Sequence, residues 1–246
     1  MPSFWKHVIT VLDQADLILE ILDARFIDQT RHREIESKIQ QRGKQILYVI
    51  NKCDLADQTG LRKAQHELQP SVFISSINKL GTTILRKKIL ELSHGKPVVV
   101  AVVGYPNVGK SSVINALAGR RAARTSAESG FTKGLQKIRV DARIMLLDTP
   151  GVFPRNEKDQ QKYGTTGAVD YGKIKDAEIV AITLIQQFPK QICSYYNIKE
   201  QEPEEILDAI ARKFKRLRKG GEVDAEATAR LVLKDWQTGR IRSTRQ

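Results

Sequence analysis

The sequence predicts an α/β fold: a mostly parallel sheet with helices on both faces, followed by a small all-helical part. Three observations carry this. Up to about residue 154, short apolar, β-branched runs such as 97–103 alternate with stretches of helical period. One of those runs leads directly into Gly104-Tyr-Pro-Asn-Val-Gly109-Lys110-Ser111, a glycine-rich turn that opens a helix. From about residue 155 on, the apolar residues recur only at helical spacing. The expected division is therefore residues 1–154 and residues 155–246.

In chain order, Phe4, Trp5, Val8, Val11 and Leu12 mark a helix over 4–14. Residues 16–23 read as a strand ending on Asp23-Ala24-Arg25. A polar helix over 34–42 stops at Gly43, and a buried strand over 45–50 runs into Asn51-Lys52-Cys53-Asp54. A second polar helix spans 60–68, and a third strand, 71–74, ends at Ser75-Ser76-Ile77. Ile84, Leu85, Ile89 and Leu92 share a helical face over 81–92. The helix after the glycine-rich turn spans 112–118 and stops at Gly119. Residues 120–134 lack a hydrophobic period and read as a loop. Strands over 135–140 and 143–147 follow, the second leading into Asp148-Thr149-Pro150-Gly151. Beyond them, 168–188 suits one or two helices. A helix over 204–217 groups Ile206, Leu207, Ile210, Phe214 and Leu217 on one side, and another covers 225–236.

With 41% hydrophobic and 28% charged residues among 246, the composition is that of a globular protein with a proper core. No apolar run reaches the ~18 residues a membrane span needs, and the start does not read as a signal peptide. Cys53 and Cys193 are the only cysteines, which excludes a disulfide framework or a Cys-x-x-Cys zinc site and fits a reducing cytoplasm. The chain is expected there as a monomer. Forty-one Lys and Arg against 28 Asp and Glu give a formal net charge of +13. Such a chain is drawn to polyanions, nucleic acid first and anionic membrane second.

The motifs narrow the chemistry. A strand, a glycine turn and a helix N-terminus aim backbone N–H groups at one spot, which suits a phosphate. Asn107, Val108, Gly109, Lys110, Ser111 and Ser112 line it. Lys110 reaches the β- and γ-phosphates of a nucleotide, and the Ser111 hydroxyl ligates Mg²⁺. At the end of a buried strand, the Asp54 carboxylate can accept from the ring N–H and the amine of guanine. Adenine lacks that donor pair. Asn51 braces the loop, Lys52 packs along the base, and Cys53 is a small buried residue. Backbone N–H groups of Ser75, Ser76 and Ile77 face the guanine carbonyl. Asp148 holds Mg²⁺, Thr132 adds a hydroxyl to it, and the Gly151 N–H senses the γ-phosphate.

Together these motifs resemble the Ras-like GTPases of the translation-factor class, but in a different order. Asn51–Asp54 and Ser75–Ser76 precede the phosphate loop, Thr132 and Asp148–Gly151. The chain thus looks like a circularly permuted P-loop GTPase of the YlqF/RbgA (ribosome biogenesis GTPase A) type. Asp23-Ala24-Arg25, typical of that group, and the tail from Lys234 to Ile241 support the resemblance. It implies GTP/GDP and Mg²⁺ as ligands, slow GTP hydrolysis raised by ribosomal particles, and the large ribosomal subunit and its rRNA as partners. Lys110, Thr132 and Gly151 would act in hydrolysis. The permutation also implies that the helical part follows directly on the Asp148–Gly151 switch.

Four features bear on mechanism. Val152 stands where Ras-like enzymes carry a water-orienting glutamine. Asn107 matches the asparagine that coordinates K⁺ in potassium-activated relatives, and equally suits a loop residue in an unusual turn. Ser129-Gly130-Phe131-Thr132 replaces Pro-Gly-x-Thr. The Pro-Gly-His-Met stretch of bacterial members is not matched, so no role passes to His7. The alternative function is a GTP-regulated module that binds RNA or anionic membrane with negligible hydrolysis. Basic residues cluster at Arg212, Lys213, Lys215, Arg216, Arg218 and Lys219. Others lie at Arg240, Arg242 and Arg245, and around Arg120, Arg121 and Arg124. They are either solvated faces or phosphate contacts to rRNA.

Overall fold

The structure, a computed structural model, describes residues 3–119, 136–154 and 159–242. The chain divides into two compact units, Met1–Glu157 and Lys158–Gln246. In the first, α1 (Ser3–Gln14) leads into β1 (Leu17–Asp23). The short α2 (Ile27–Thr30) and α3 (Arg33–Gln40) connect it to β2 (Gln45–Asn51). Next come α4 (Gln58–Glu67), β3 (Ser71–Phe73), α5 (Thr82–Leu92), β4 (Val98–Val103) and α6 (Lys110–Ala118). The antiparallel pair β5 (Gln136–Arg139) and β6 (Ile144–Asp148) completes a six-stranded sheet. Its order is β3-β2-β1-β4-β6-β5, and every other neighbouring pair is parallel.

The sequence patterns account for the layers. β1 is buried along its whole length, as a central parallel strand must be. One face of the sheet presents Ile18, Ala101, Val103 and Leu147. These meet Trp5, Val8, Val11 and Leu12 of α1 and Ile35 and Ile39 of α3, each set at helical spacing. Alternation turns Val98, Val100 and Val102 the other way, and α5 and α6 lie against β3, β4 and β6. Helix α6 begins at Lys110, two residues earlier than its periodicity predicts. The left-handed Gly109 (φ 100°) already forms its N-cap. It ends at the left-handed Gly119, as expected.

The second unit contains α7 (Gln160–Thr165), α8 (Ala177–Gln187), α9 (Pro189–Tyr196), α10 (Pro203–Lys213) and α11 (Ala225–Gln237). Leu184, Ile185, Ile206, Leu207, Ile210, Val232, Leu233 and Trp236 are buried in it. The Trp236 ring lies 4.5 Å from that of Phe188. Asp235 accepts from the Tyr196 hydroxyl (2.9 Å) and from Arg240 (3.0 Å), tying α9 and the segment after α11 to one carboxylate. Periodicity did not foretell α7, α9 or α2. It also overextended α10, which stops at Lys213 rather than 217. Lys215 turns left-handed (φ 52°), and Leu217 then bridges Val223 across the Gly220-Gly221 turn. Phe214 and Leu217, expected on an apolar face, are 47% and 44% exposed as a result.

One residue breaks the apolar run of β1. Glu20 is fully buried, and its Oε1 accepts the His32 N–H at 2.7 Å. Burial, and then the charge of Glu36, push its carboxyl up to about 8. Glu36 is itself held in a two-bonded pair by Arg31 (2.8 and 2.7 Å). A folded pKa above the unfolded one means that the fold keeps a proton which the unfolded chain releases. From about pH 4.5 up to about 8 this makes stability fall as pH rises, by at most ~1.4 kcal/mol per unit. Glu20→Gln keeps the acceptor for His32 and removes the titration. The stability difference between variant and wild type should therefore widen in the variant's favour from pH 5 to pH 8 in urea unfolding. A pH-independent difference would mean that Glu20 titrates normally.

Candidate functional site

Three loops meet at the C-terminal edge of the sheet, after β2, β3 and β4. The strand sequence runs outward in one direction over β1–β3 and in the other over β4–β6. The gap between β1 and β4 is thus the point where the order reverses, the usual location of a ligand crevice in such sheets. The loop after β4 is shaped by two glycines. A Cβ on Gly104 (φ 143°) would lie 2.6 Å from the Ile21 carbonyl, and one on Gly109 would lie 2.3 Å from the Asn51 amide nitrogen. No other residue allows both the dihedrals and the approach.

Asn51, the last residue of β2, binds the other two loops together. Its amide donates to the Val108 carbonyl at 2.9 Å, and its Oδ1 accepts the Ser76 N–H at 3.1 Å. Both groups are buried, so each bond also satisfies a donor or acceptor that water cannot reach. Lys52, left-handed at φ 64°, turns its ammonium back to Asp23 (2.7 Å) and to the Asn107 carbonyl (2.9 Å). The side chain expected along a base is thus also a strut between loops. Cys53 is half-buried with its thiol against the Ile50 carbonyl, and burial pushes that thiol up to about 12, which makes it inert. Asp54 follows in a short 3₁₀ turn, half-exposed at the rim. Ser75 and Ser76 are buried, whereas the Ile77 side chain is 77% exposed.

On the phosphate-loop side, Lys110 is buried and its ammonium donates to the carbonyls of Gly104 (3.1 Å) and Tyr105 (2.7 Å). Burial lowers its pKa to about 8, against the pull of the Asp148 charge. Burial likewise raises Asp148 to about 6, against the pull of Lys110. Asp148 Oδ1 is buried without a hydrogen bond among the described residues. A hard divalent cation suits such an orphaned oxygen, and the half-buried Ser111 opens α6 with a second oxygen donor. The residues present therefore fit Mg²⁺. Ser112 is also half-buried in the first turn of α6. Thr132 lies outside the described residues, as do Arg120, Arg121, Arg124 and Arg245.

Gly151 packs against the phosphate loop: a Cβ there would be 2.7 Å from Pro106 Cα and 2.9 Å from the Lys110 ammonium. The next residue, Val152, is buried in the core cluster with Trp5 and Val8, and its N–H faces the Gly104 carbonyl at 3.4 Å. Asn107 is left-handed (φ 60°), as its turn reading predicts. His7 is exposed on α1.

Sequence patterns assign no role to the aromatic contacts behind the loop. His32 is fully buried between Trp5 (5.6 Å) and Tyr105 (5.5 Å), and Tyr105 meets Phe153 edge-on at 6.2 Å. Asp23 and Arg25 entered only as a family triplet. The one local signal for this buried polar layer was Glu20, a charge inside an apolar strand.

In the second unit, residues 212–222 are exposed throughout. Not all their cations point to solvent. Lys213 donates to the carbonyls of Tyr196 (2.8 Å) and Asn197 (3.1 Å) at the end of α9, and Arg218 lies 3.7 Å from Asp224.

A family model described as 50S ribosome-binding GTPase matches residues 99–216. A GTP-binding protein of Methanocaldococcus jannaschii is 40% identical over 245 residues, covering 96% of this chain and 65% of that protein. Nuclear/nucleolar GTPase 2 of Arabidopsis thaliana is 32% identical over 250 residues, and nucleolar GTP-binding protein 2 of Neurospora crassa 34% over 251. Each covers 96% of this chain, which spans 43% and 40% of their respective lengths. The chain therefore spans less than two-thirds of each of these relatives. YlqF of T. maritima shares the fold: its GDP-bound structure superposes with a TM-score of 0.72 at 24% identity, covering 96% of this chain and 95% of that one. Its GNP-bound structure gives 0.70 at 23% identity, with 97% and 95% covered. The loop of Asn51 precedes the phosphate loop in the chain yet bonds to it in space, and the chain shares the fold of YlqF and is similar to GTP-binding proteins along 96% of its length.

Proposed function

We propose that this chain binds and hydrolyses GTP as an assembly factor of the large ribosomal subunit. The observation that carries the reading is the junction at Asn51, which seats a guanine-selective loop on a phosphate loop. Asp54 and the N–H groups of Ser75, Ser76 and Ile77 read the base, with Asn51 and Lys52 bracing it. The N–H groups from Asn107 to Ser112 and the Lys110 ammonium hold the phosphates. Ser111, Asp148 and Thr132 hold Mg²⁺, which neutralises charge developing on the phosphates. The Gly151 N–H reports the γ-phosphate. Residues 1–154 act as the G domain and residues 155–246 as the ribosome-binding part, acting as a monomer in the cytoplasm. Support for the ribosome comes from the description of the matched family, the net charge of +13 and the exposed basic stretch. There Arg212, Lys215, Arg216 and Lys219 meet rRNA phosphates, while Lys213 and Arg218 hold the stretch in shape.

A specific observation supports a second reading, in which GTP switches RNA affinity with negligible hydrolysis. Val152 is 3% exposed and packs in the core, so no polar side chain at that position orients a water. The rRNA particle or a K⁺ ion would then have to supply what the glutamine does elsewhere. A K⁺ held at Asn107 neutralises charge between the phosphates as an arginine finger does.

Three measurements test these proposals. Asp54→Asn replaces an acceptor pair by one donor and one acceptor, so GTP affinity should fall by on the order of 100-fold while xanthosine triphosphate gains. Unchanged preference would remove Asp54 from base reading. Large ribosomal subunits should co-sediment with the chain in a non-hydrolysable GTP analogue more than in GDP, and should raise GTP turnover. The logarithm of the binding constant should fall linearly with the logarithm of salt concentration, with a slope of about 0.7 for each rRNA phosphate that the chain neutralises. Binding without any rise in turnover selects the second reading, and no binding sinks both. Exchanging KCl for NaCl should lower turnover on the order of 10-fold if Asn107 holds K⁺; equal rates remove that role.

A further inference from the structure

The triplet Asp23-Ala24-Arg25 stands apart from every motif assigned to the nucleotide, yet its carboxylate accepts four hydrogen bonds. Asp23 ends β1 and lies opposite Asn51 in the parallel register. Its carboxylate is fully buried. Oδ1 accepts from the Arg25 backbone N–H (3.1 Å) and from Arg25 Nε (3.0 Å). Oδ2 accepts from Arg25 Nη2 (2.9 Å) and from the Lys52 ammonium (2.7 Å). The Asp23 N–H donates to the Thr30 hydroxyl at 3.1 Å, which in turn donates to the Phe26 carbonyl at 2.8 Å, so the turn that carries the triplet is pinned from behind. The Arg25 side chain is 1% exposed.

This arrangement has a direction. A guanidinium fork fixes the plane of a carboxylate, because its two parallel N–H bonds allow one orientation. With the plane fixed, one oxygen remains aimed at Lys52. The Lys52 ammonium is then held between that oxygen and the Asn107 carbonyl. A flexible four-carbon side chain becomes a strut of set length, joining the loop that ends in Asp54 to the left-handed turn of the phosphate loop. Without Asp23, Arg25 and Lys52 would face each other as buried like charges, and Lys52 would be driven off the Asn107 carbonyl.

The geometry points to Asp23 and Arg25 as positioning residues for guanine-nucleotide binding, acting through Lys52 to hold the base-reading loop in register with the phosphate loop. This rests on the guanine-binding reading of Asn51–Asp54. It adds to that reading a buried residue pair outside the motifs assigned to the nucleotide.

The test measures dissociation constants of GDP, ADP and IDP, which lacks the guanine amine, for the full chain at a temperature well below unfolding. Wild type should prefer GDP to both. Asp23→Asn should weaken GDP by about 10- to 100-fold, the usual cost of losing a buried outer partner. It should also shrink the GDP-to-IDP preference several-fold, because Asp54 no longer meets the amine squarely. Lys52→Met should do the same, and the double variant should lose no more than Lys52→Met alone. Arg25→Lys, which keeps the charge but not the fork, should cost less than Arg25→Ala. A purely structural role would lower the unfolding temperature while leaving the GDP-to-IDP ratio intact, and that result overturns the inference. So do losses from Asp23→Asn and Lys52→Met that simply add. If Asp23→Asn does not fold, Arg25→Lys and Lys52→Met decide by the same ratio. A wild type that shows no preference for GDP over ADP overturns the guanine reading itself, and the inference with it.

Discussion

The first unit depends on the seating of β1 between β2 and β4. β1 is made first of the six strands, yet it pairs on both edges, with Leu17–Asp23 against Gln45–Asn51 on one side and Leu17–Glu20 against Val100–Val103 on the other. Because both pairings are parallel, all three strands deliver their C-terminal ends to one rim. Asp23, Asn51 and Gly104 therefore arrive side by side although up to 81 positions separate them in the chain. A shift in either register would exchange the β1 residues that face the two helix layers and misalign the loops at once.

From that rim the loops are joined by bonds between buried or part-buried partners. Asn51 reaches Val108 and Ser76, and Lys52 reaches Asn107. Behind them lies a buried polar layer of Asp23, Arg25, Glu20 and His32, which strands this apolar would not otherwise tolerate. On the far side, Val152 and the contact of Tyr105 with Phe153 connect the segment after Asp148 to the core under α1. A change in the backbone at Gly151 therefore cannot occur without repacking next to Trp5 and Val8, since interiors are close-packed.

Much of this was legible in the sequence because each motif follows a strongly patterned strand. The strands of the sheet, the helices α1, α3, α5 and α6, and the residues at the junction of base and phosphate loops all carried their own local signals. What escaped did so for identifiable reasons. The contact of Lys52 with Asp23 joins positions 29 apart, and no periodicity reports it. The expected helix over 204–217 ran past the end of α10 because Phe214 and Leu217 fit a helical face, while the turn that breaks it is set by a left-handed lysine that no composition rule flags. Helices α7 and α9 are six and eight residues long, too short to show a clear period. Lys213, grouped in sequence with cations that are either solvated or phosphate contacts, also closes the end of α9, a bond across 17 positions that no local pattern reports.

The placement of β1 also bears on how the chain comes together as it is synthesised. Residues 17–92 hold β1, β2 and β3, the loops of Asn51–Asp54 and Ser75–Ile77 and the helices between them, a block of largely local pairings. All of it leaves the ribosome before β4 exists. Until Val98–Val103 emerges, one edge of β1 presents unpaired N–H and C=O groups along a strand that is fully buried in the finished sheet, and Asp16 must wait for Val99 across 83 residues. Such an edge is prone to pair with the wrong strand. The chain order thus builds the loops of Asn51 and Ser76 ahead of the glycine-rich turn that follows β4, and it leaves the nascent chain with an adhesive border that β4 closes.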